Sequence, residues 1–238
     1  MSILLALDSS TDACSVALNI HGEIKFKFEL AAKSHTQRLL PMVDELLSEA
    51  QLSLSQVDAI AFGRGPGSFT GLRICMGVVQ GLAFGADLPV VPVSTLASMA
   101  LGFHTQFPDT RLPLLTCLDA RMNEVYFGLY EIDQGLPVLI DDEAVSAPQA
   151  LVDSKKIQQL QNQFAVIGQG WHYPAFSQLN PVILQHDIYP NAESIAKIAA
   201  KCVADGQIQS ILDTLPVYLR DSVSWQKRPA PRRHIQLD

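Results

Sequence analysis

Asp8 follows directly on the apolar run Ile3–Leu7 and opens a polar cluster of Asp8, Ser9, Ser10, Thr11 and Asp12. A carboxylate just beyond a buried strand is where a Mg2+-phosphate site places its acid, because the hard cation takes oxygen ligands and shares them with phosphate. A second candidate is Gly63–Gly71, GRGPGSFTG, between the apolar segment Val57–Phe62 and an apolar helical stretch. Strand, glycine-rich turn and helix start, in that order, direct backbone N–H groups and the positive end of a helix at an anion. Asp8, Gly65, Gly67 and Ser68 are therefore the candidate contacts for a nucleotide or phosphate. The loop lacks the GK[ST] ending of a P-loop, and it is not a GxGxxG followed by an acidic residue about twenty positions on. The same glycines read more simply as a tight turn with close helix packing.

Other chemistries find less support. The histidines at 21, 35, 104, 172, 186 and 234 include no pair three or four apart on a helix and no HExxH, so no metal site is expected. His35, beside Ser34, reads as an exposed or cap-side imidazole. Ser9, Ser10, Thr11 and Ser68 offer hydroxyls, but there is no GxSxG elbow and no His or Asp at a spacing that assigns one to them, so no catalytic residue is named. Cys14, Cys75, Cys117 and Cys202 form no CxxC pair and read as small buried hydrophobes in a reducing compartment.

These residues need elements to place them. Ser15–Ile20 and Glu23–Phe28 flank His21 and Gly22, a two-residue hairpin signal. Ser34 and Gln37 are spaced as a capping box before a helix whose apolar residues are Leu39, Met42, Val43, Leu46, Leu47 and Ala50, with Leu40 widening the stripe. Pro41 then requires either a start near Arg38 or a bend. The next helix, Thr70–Phe84, carries Gly77, Gly81 and Gly85 at intervals of four. Each glycine costs a helix about 0.5–1 kcal/mol relative to alanine, so a second helix or a partner subunit is expected to pack very close. Val90–Val93 is a strand, and Ser94 caps a helix through Ala100. The breaker-rich segment His104–Pro113 marks the boundary between an N-terminal lobe, 1–106, and a C-terminal lobe, 107–238, whose last helix can pack back on the first. The second lobe holds strands at Leu114–Leu118, Glu124–Tyr130 and Phe164–Ile167, a short helix at Ser146–Val152, and a helix at Asn191–Ala204 stopped by Gly206. Two packed α/β lobes are the simplest fold class.

The chain of 238 residues is 48% apolar and 17% charged, ample for proper cores. A net charge of −7 argues against a broad nucleic-acid footprint, since phosphate neutralisation by Lys and Arg supplies most non-specific affinity. Lys227, Arg228, Arg232 and Arg233 run the other way in an extended tail that either contacts RNA or an acidic partner or is simply solvated. With no basic leader and no apolar run approaching roughly 18 residues, no membrane association and a cytoplasmic location are expected.

Five segments carry a family resemblance: LLALDSS at 4–10, SHTQRLLPMVDELL at 34–47, GRGPGSFTGLRICMGVVQGLA at 63–83, VPVSTLASMA at 91–100 and PVYLR at 216–220. Together they resemble the TsaB (YeaZ) family over essentially the whole chain. The resemblance implies an actin-like, ASKHA-type (ribonuclease H-like) α/β fold of two lobes, shared with the paralogous TsaD (Kae1-like) enzyme. TsaD transfers threonylcarbamoyl from its adenylate to N6 of adenosine 37 in tRNAs reading codons that start with A. TsaB is its required partner, and the TsaE ATPase joins them in bacteria. The implied role is thus a non-catalytic subunit, a homodimer when alone and a heterodimer with a TsaD-type paralogue, in indirect or weak contact with tRNA. No cofactor of its own is implied, ATP or ADP being considered only at the partner interface. The residues agree with a lost active site: the enzyme's metal-binding HxxxH is absent, since Leu39 stands four positions after His35, and Asp119, Ala120 and Arg121 stand where a second glycine-rich turn would be needed. The family's interface is formed by the two apolar helices, which puts Leu39, Val43, Leu46, Gly77 and Gly81 forward as contact positions, with a core role as the alternative at each. The rival function is an actin-like phosphotransferase or nucleotide hydrolase using Asp8 and the 63–71 loop. A peptidase, a label the family has carried, ranks last without a metal pair or triad.

Overall fold

Alternate residues of β1 (Ile3–Asp8) enter different cores, Leu5 and Leu7 one and Leu4 and Ala6 the other. A strand buried on both faces must be central in its sheet and covered on each side. The structure, a computed structural model that describes residues 2–30 and 34–220, arranges this as follows. β1 pairs antiparallel with β2 (Ala13–Ile20), which pairs antiparallel with β3 (Glu23–Leu30) across the His21–Gly22 turn. Both turn residues have positive φ, 55° and 106°, as a two-residue hairpin demands. On its other side β1 runs parallel to β4 (Ala59–Gly65), and β4 to β5 (Val90–Ser94), giving the order 3-2-1-4-5.

One face of this sheet is covered by α1 (His35–Glu49) and α2 (Phe69–Ala86), whose Leu39, Met42, Leu46, Cys75 and Val79 pack against Leu5, Leu7, Ile60 and Phe62. Full burial of each such leucine or methionine is worth about 1.5–3 kcal/mol. α1 starts at His35 instead of near Arg38 and runs through Pro41, and Ser34 makes no side-chain cap bond. The proline is tolerated because it and Gln37, whose carbonyl loses its partner, are both exposed to water. α2 is capped by Ser68, whose Oγ accepts from Gly71 N at 3.3 Å, and ends at Asp87 in the left-handed region. Its 18 residues are long and apolar enough to span a bilayer by length and composition, and a third of the window is buried in this fold.

α3 (Thr95–Gln106) is longer than expected and leaves the first sheet. Its Leu96, Met99 and Phe103 join the core of a second sheet with Leu114, Leu118, Tyr130 and Ile167. That sheet contains β6 (Leu114–Arg121), β7 (Glu124–Asp133), β8 (Leu136–Leu139), β9 (Ala144–Ser146), β10 (Ala165–Ile167) and β11 (Ile183–Gln185), in the order 11-10-6-7-8 with β9 paired to β7. Its other face is covered by α4 (Pro148–Val152), α5 (Lys155–Gln159) and the stacked Trp171–Phe176 pair, whose ring centroids are 4.1 Å apart. The chain then returns: α6 (Ala192–Ala204), capped by Asn191, lies on the second face of the first sheet. Ala6, Ala17, Ala59 and Ala61 meet Ala192, Ala196 and Ala199 there, small residues on both sides of a close helix–sheet contact. Two α/β lobes of actin-like, ribonuclease H-like class result, each lobe bearing a helix on the side where the other half of the chain contributes cover. The tail residues Lys227, Arg228, Arg232 and Arg233 lie outside the described residues.

Candidate functional site

The β1–β2 turn and the 63–71 loop meet at one end of the first sheet, and the approach is so close that the loop's glycines are required by the chain itself. A Cβ on Gly67 would lie 2.4 Å from Ser10 O, and one on Gly71 2.0 Å from Ser9 O. Ser68 N donates to Ser10 O at 2.7 Å. Gly65, at φ 107° and after which the bond to Pro66 is cis, packs against Val217 O, 2.8 Å from where its Cβ would be. Ser9, Ser10 and Val217 thus occupy the side of the loop toward which a side chain at Gly71, Gly67 or Gly65 would point. Gly67 and Ser68 still border the inter-lobe cleft, a concavity of about 500 Å³, but Gly65 does not.

Asp8 is likewise turned inward. It is fully buried and does not line the cleft. Its Oδ1 accepts from Ser10 N at 3.0 Å and Ser10 Oγ at 2.9 Å, while Oδ2 has no partner and lies 1.9 Å from the ideal Cβ position of Gly63. Burial, only partly offset by the Ser10 hydrogen bonds, pushes its carboxyl from 3.8 up to about 6. Asp8, buried under Gly63, and Gly65, against Val217, thus stand back from the cleft in which the sequence offered them as ligand contacts.

Across the cleft, the turn after β6 carries Arg121, Met122 and Asn123, all with positive φ, between 55° and 62°. Asp119 is consumed in holding it, accepting from Arg121 N, Arg121 Nη1 and Tyr173 Oη, each at 2.8 Å. The Arg121 and Met122 side chains project at 82% and 60% exposure where a backbone cradle would have to be open. Among the described residues no three His, Cys, Asp or Glu side chains are grouped to hold a metal. His35, the first residue of α1 after its N-cap Ser34, is buried and not exposed, with Nδ1 unpartnered.

Two ties fix the lobes to each other. Glu143, its side chain 4% exposed, accepts from Tyr130 Oη at 2.5 Å and from Ser94 Oγ, and pairs with Arg64 Nη2 at 3.2 Å. Burial first, then the Glu143 charge, raises the Tyr130 phenol far above its ordinary range. The second tie is the segment 216–220: Val217 N donates to Arg64 O at 2.8 Å, and Arg220 pairs with Glu124 and reaches Ala120 O at 3.1 Å. Nothing in the sequence pattern marks Glu143 or Arg64, which are 79 residues apart.

The remaining feature is on the outside of α1 and α2. Gly77, Gly81 and Gly85 face open space, with nothing within 4 Å of a Cβ at any of them. Among the described residues no element packs close there, so none of them is the neighbour expected from the glycine spacing. Gly77 and Gly81 line a shallow groove of about 450 Å³ with Thr36, Leu40, Arg73, Ile74, Val78 and Leu82, and Phe84 stands 74% exposed on the same stripe. Leu39, Val43 and Leu46, put forward as contacts, are 0%, 3% and 1% exposed and belong to the core beneath. Leu40, half exposed and one position round from Leu39, takes the surface role. The signal for it was the widened stripe: one helix with 39, 42, 43 and 46 on the core side has 36, 40 and 47 on the adjoining flank.

Against known proteins, residues 27–216 match the family model described as TsaD: tRNA N6-adenosine threonylcarbamoyltransferase. A protein of Escherichia coli (strain K12), named tRNA threonylcarbamoyladenosine biosynthesis protein TsaB, is 41% identical over 230 residues, covering 95% of this chain and 98% of its own. Its namesake in Haemophilus influenzae is 43% identical over 233 residues, covering 95% and 97%. Among solved structures, YeaZ from Pseudomonas aeruginosa superposes with a TM-score of 0.84 at 44% identity, covering 92% of this chain and all of the other.

Proposed function

The chain belongs to the TsaB family of tRNA threonylcarbamoyladenosine biosynthesis proteins, and from that membership we propose that it is the non-catalytic partner of a TsaD-type paralogue. In this role it supports formation of N6-threonylcarbamoyladenosine at position 37 of tRNAs that read codons starting with A, in the cytoplasm. The observation that carries the reading is the glycine-lined face of α2. Three glycines that nothing among the described residues approaches, bordered by Leu40, Ile74, Val78 and exposed Phe84, form an apolar surface suited to a helix at short distance. Small residues in register let two helix backbones come close, and an exposed apolar patch with polar surroundings marks a protein interface. A second copy of the chain takes this face when the paralogue is absent, and a TsaE-type ATPase joins the heterodimer.

The non-catalytic assignment is supported by Asp8 sealed under Gly63, a glycine loop filled by Ser9 and Ser10, and a β6–β7 turn filled by side chains. ATP or ADP, where required, binds with the partner and not on the 63–71 loop, and tRNA is held mainly by the other subunits. The test is threonylcarbamoyladenosine formation on tRNA in a reconstituted mixture of the threonylcarbamoyl-adenylate synthase, the TsaD-type paralogue, the ATPase and ATP, with and without this chain. Modification that depends on its addition, and that Asp8→Asn still supports, is the expected result. Modification indifferent to the chain, or lost with Asp8→Asn in a folded protein, overturns it.

A further inference from the structure

The groove on α1 and α2 is lined by apolar residues and glycines except at Thr36 and Arg73, and Arg73 is its one charged residue. Arg73 stands at its edge with the guanidinium carbon 3.6 Å above the centre of the Phe69 ring, and its Nε donates to Tyr218 Oη at 3.4 Å. Phe69 and Tyr218 are themselves in contact, ring centroids 5.7 Å apart, so an aromatic pair from α2 and the 216–220 segment holds the side chain. This spends the inner nitrogen only. Nη1 and Nη2 have no hydrogen-bond or ionic partner among the described residues. The omission is notable in a chain with 24 acidic and 17 basic side chains. α2 contains no acidic residue, and no Asp or Glu lines the groove.

An arginine stacked on an aromatic ring loses little further freedom when its outer fork is engaged, and that fork matches a carboxylate in two parallel hydrogen bonds. Charged groups at an apolar interface contribute most through discrimination, because a partner lacking the complement leaves the charge desolvated and unpaired. We propose that Arg73 is the specificity residue of the docking face: the TsaD-type partner places an Asp or Glu side chain on Nη1 and Nη2 while its helix lies along Gly77 and Gly81. The proposal rests on the docking reading above and adds the chemistry by which the partner is chosen.

The experiment measures the Kd of this chain for the TsaD-type paralogue of the same organism, at low and high salt, for the wild type, Arg73→Ala, Arg73→Lys, Arg73→Glu, Tyr218→Phe and Gly77→Leu. Arg73 and Gly77 are exposed, so thermal unfolding no earlier than that of the wild type serves as the fold control. Arg73→Ala is expected to weaken binding at least tenfold and to flatten its salt dependence. Arg73→Glu should weaken it a hundredfold or more, and be rescued when one interface Asp or Glu of the paralogue, found by charge-reversal scanning, is changed to Lys. Arg73→Lys should recover part of the loss, since it keeps the charge without the planar fork. Arg73→Ala within twofold of wild type, while Gly77→Leu abolishes binding, sinks the Arg73 assignment and leaves the docking face standing. Equal losses for Arg73→Ala and Tyr218→Phe with no change in salt dependence show a merely structural contact, which also overturns it. Gly77→Leu binding like wild type removes the docking face itself.

Discussion

Replacing Asp8 by Asn separates a sealed structural acid from a ligand-binding one. Asn keeps the Oδ1 acceptor that Ser10 N and Ser10 Oγ use, and it places an uncharged group where Oδ2 lies unpartnered beside Gly63 and near the equally unpartnered Thr95 Oγ1. The wild-type carboxyl is raised from 3.8 to about 6 by burial. At 1.36 kcal/mol per tenfold change in the proton equilibrium, ionising it inside the fold costs about 3 kcal/mol. A group whose folded value is raised gives its full contribution below the unfolded value and loses it as pH rises through the folded one. The Asp8 contribution to stability therefore falls between about pH 4 and pH 6 and stays low above. Asp8→Asn lacks that loss, so relative to wild type it should gain up to about 3 kcal/mol in going from pH 4 to pH 7.5. Urea unfolding at pH 4, 5, 6 and 7.5 measures this, and the difference between the two proteins cancels every other titrating group. A difference independent of pH, or one that grows toward acid, would refute the argument from burial.

Three further outcomes follow from the same geometry. Gly77→Ala and Gly81→Ala, which meet open space, should each raise stability by about 0.5–1 kcal/mol in thermal unfolding, yet weaken heterodimer formation in titration calorimetry. Gly63→Ala drives a Cβ to 1.9 Å from Asp8 Oδ2 and should cost more than about 3 kcal/mol, with Asp8→Ala in the same chain restoring at least half. Removing Glu143 leaves Arg64, Tyr130 and Ser94 without their shared acceptor. Glu143→Ala should therefore cost about 3–5 kcal/mol and raise hydrogen exchange at Val217 and along the cleft before it does so in β1 and β2.

Much of the scaffold was legible locally. The run Ile3–Leu7, the His21–Gly22 turn, the Ser94 cap and the Gly77–Gly81–Gly85 spacing each report on their own neighbourhood, where period and turn chemistry act. Pro41 misled because its penalty depends on whether the orphaned Gln37 carbonyl meets water, which a one-dimensional pattern does not contain. The α1 stripe was ambiguous for a similar reason: Leu39 and Leu40 are both apolar, and which of them is covered depends on the angle at which the helix lies on β2. Asp8 and Gly65 had the right types at the right positions for phosphate chemistry. What sets them back from the cleft is the cover of Gly63 over Asp8 and of Val217 over Gly65, contacts made across the fold. The Glu143 tie, formed by single residues from β4, β5, β7 and the loop before β9, has no periodic trace at all.

The helix that follows β5 covers the second sheet, and the helix that covers the first sheet comes from the far end of the second half. Each lobe thus borrows a wall from the other end of the chain, which sets an order of events during synthesis. When the first hundred residues have left the ribosome, Leu4, Ala6, Ala17, Ala59, Ala61, Val91 and Val93 form one side of a sheet with no cover. They remain so until Ala192–Ala204 has been made. N-terminal units ordinarily settle first as a chain emerges, but here the first lobe stays half-clothed for most of translation. A gene cut between the lobes would yield two fragments that each display an apolar wall to water, and co-expressing them would succeed only as far as they trade α3 and α6 between chains.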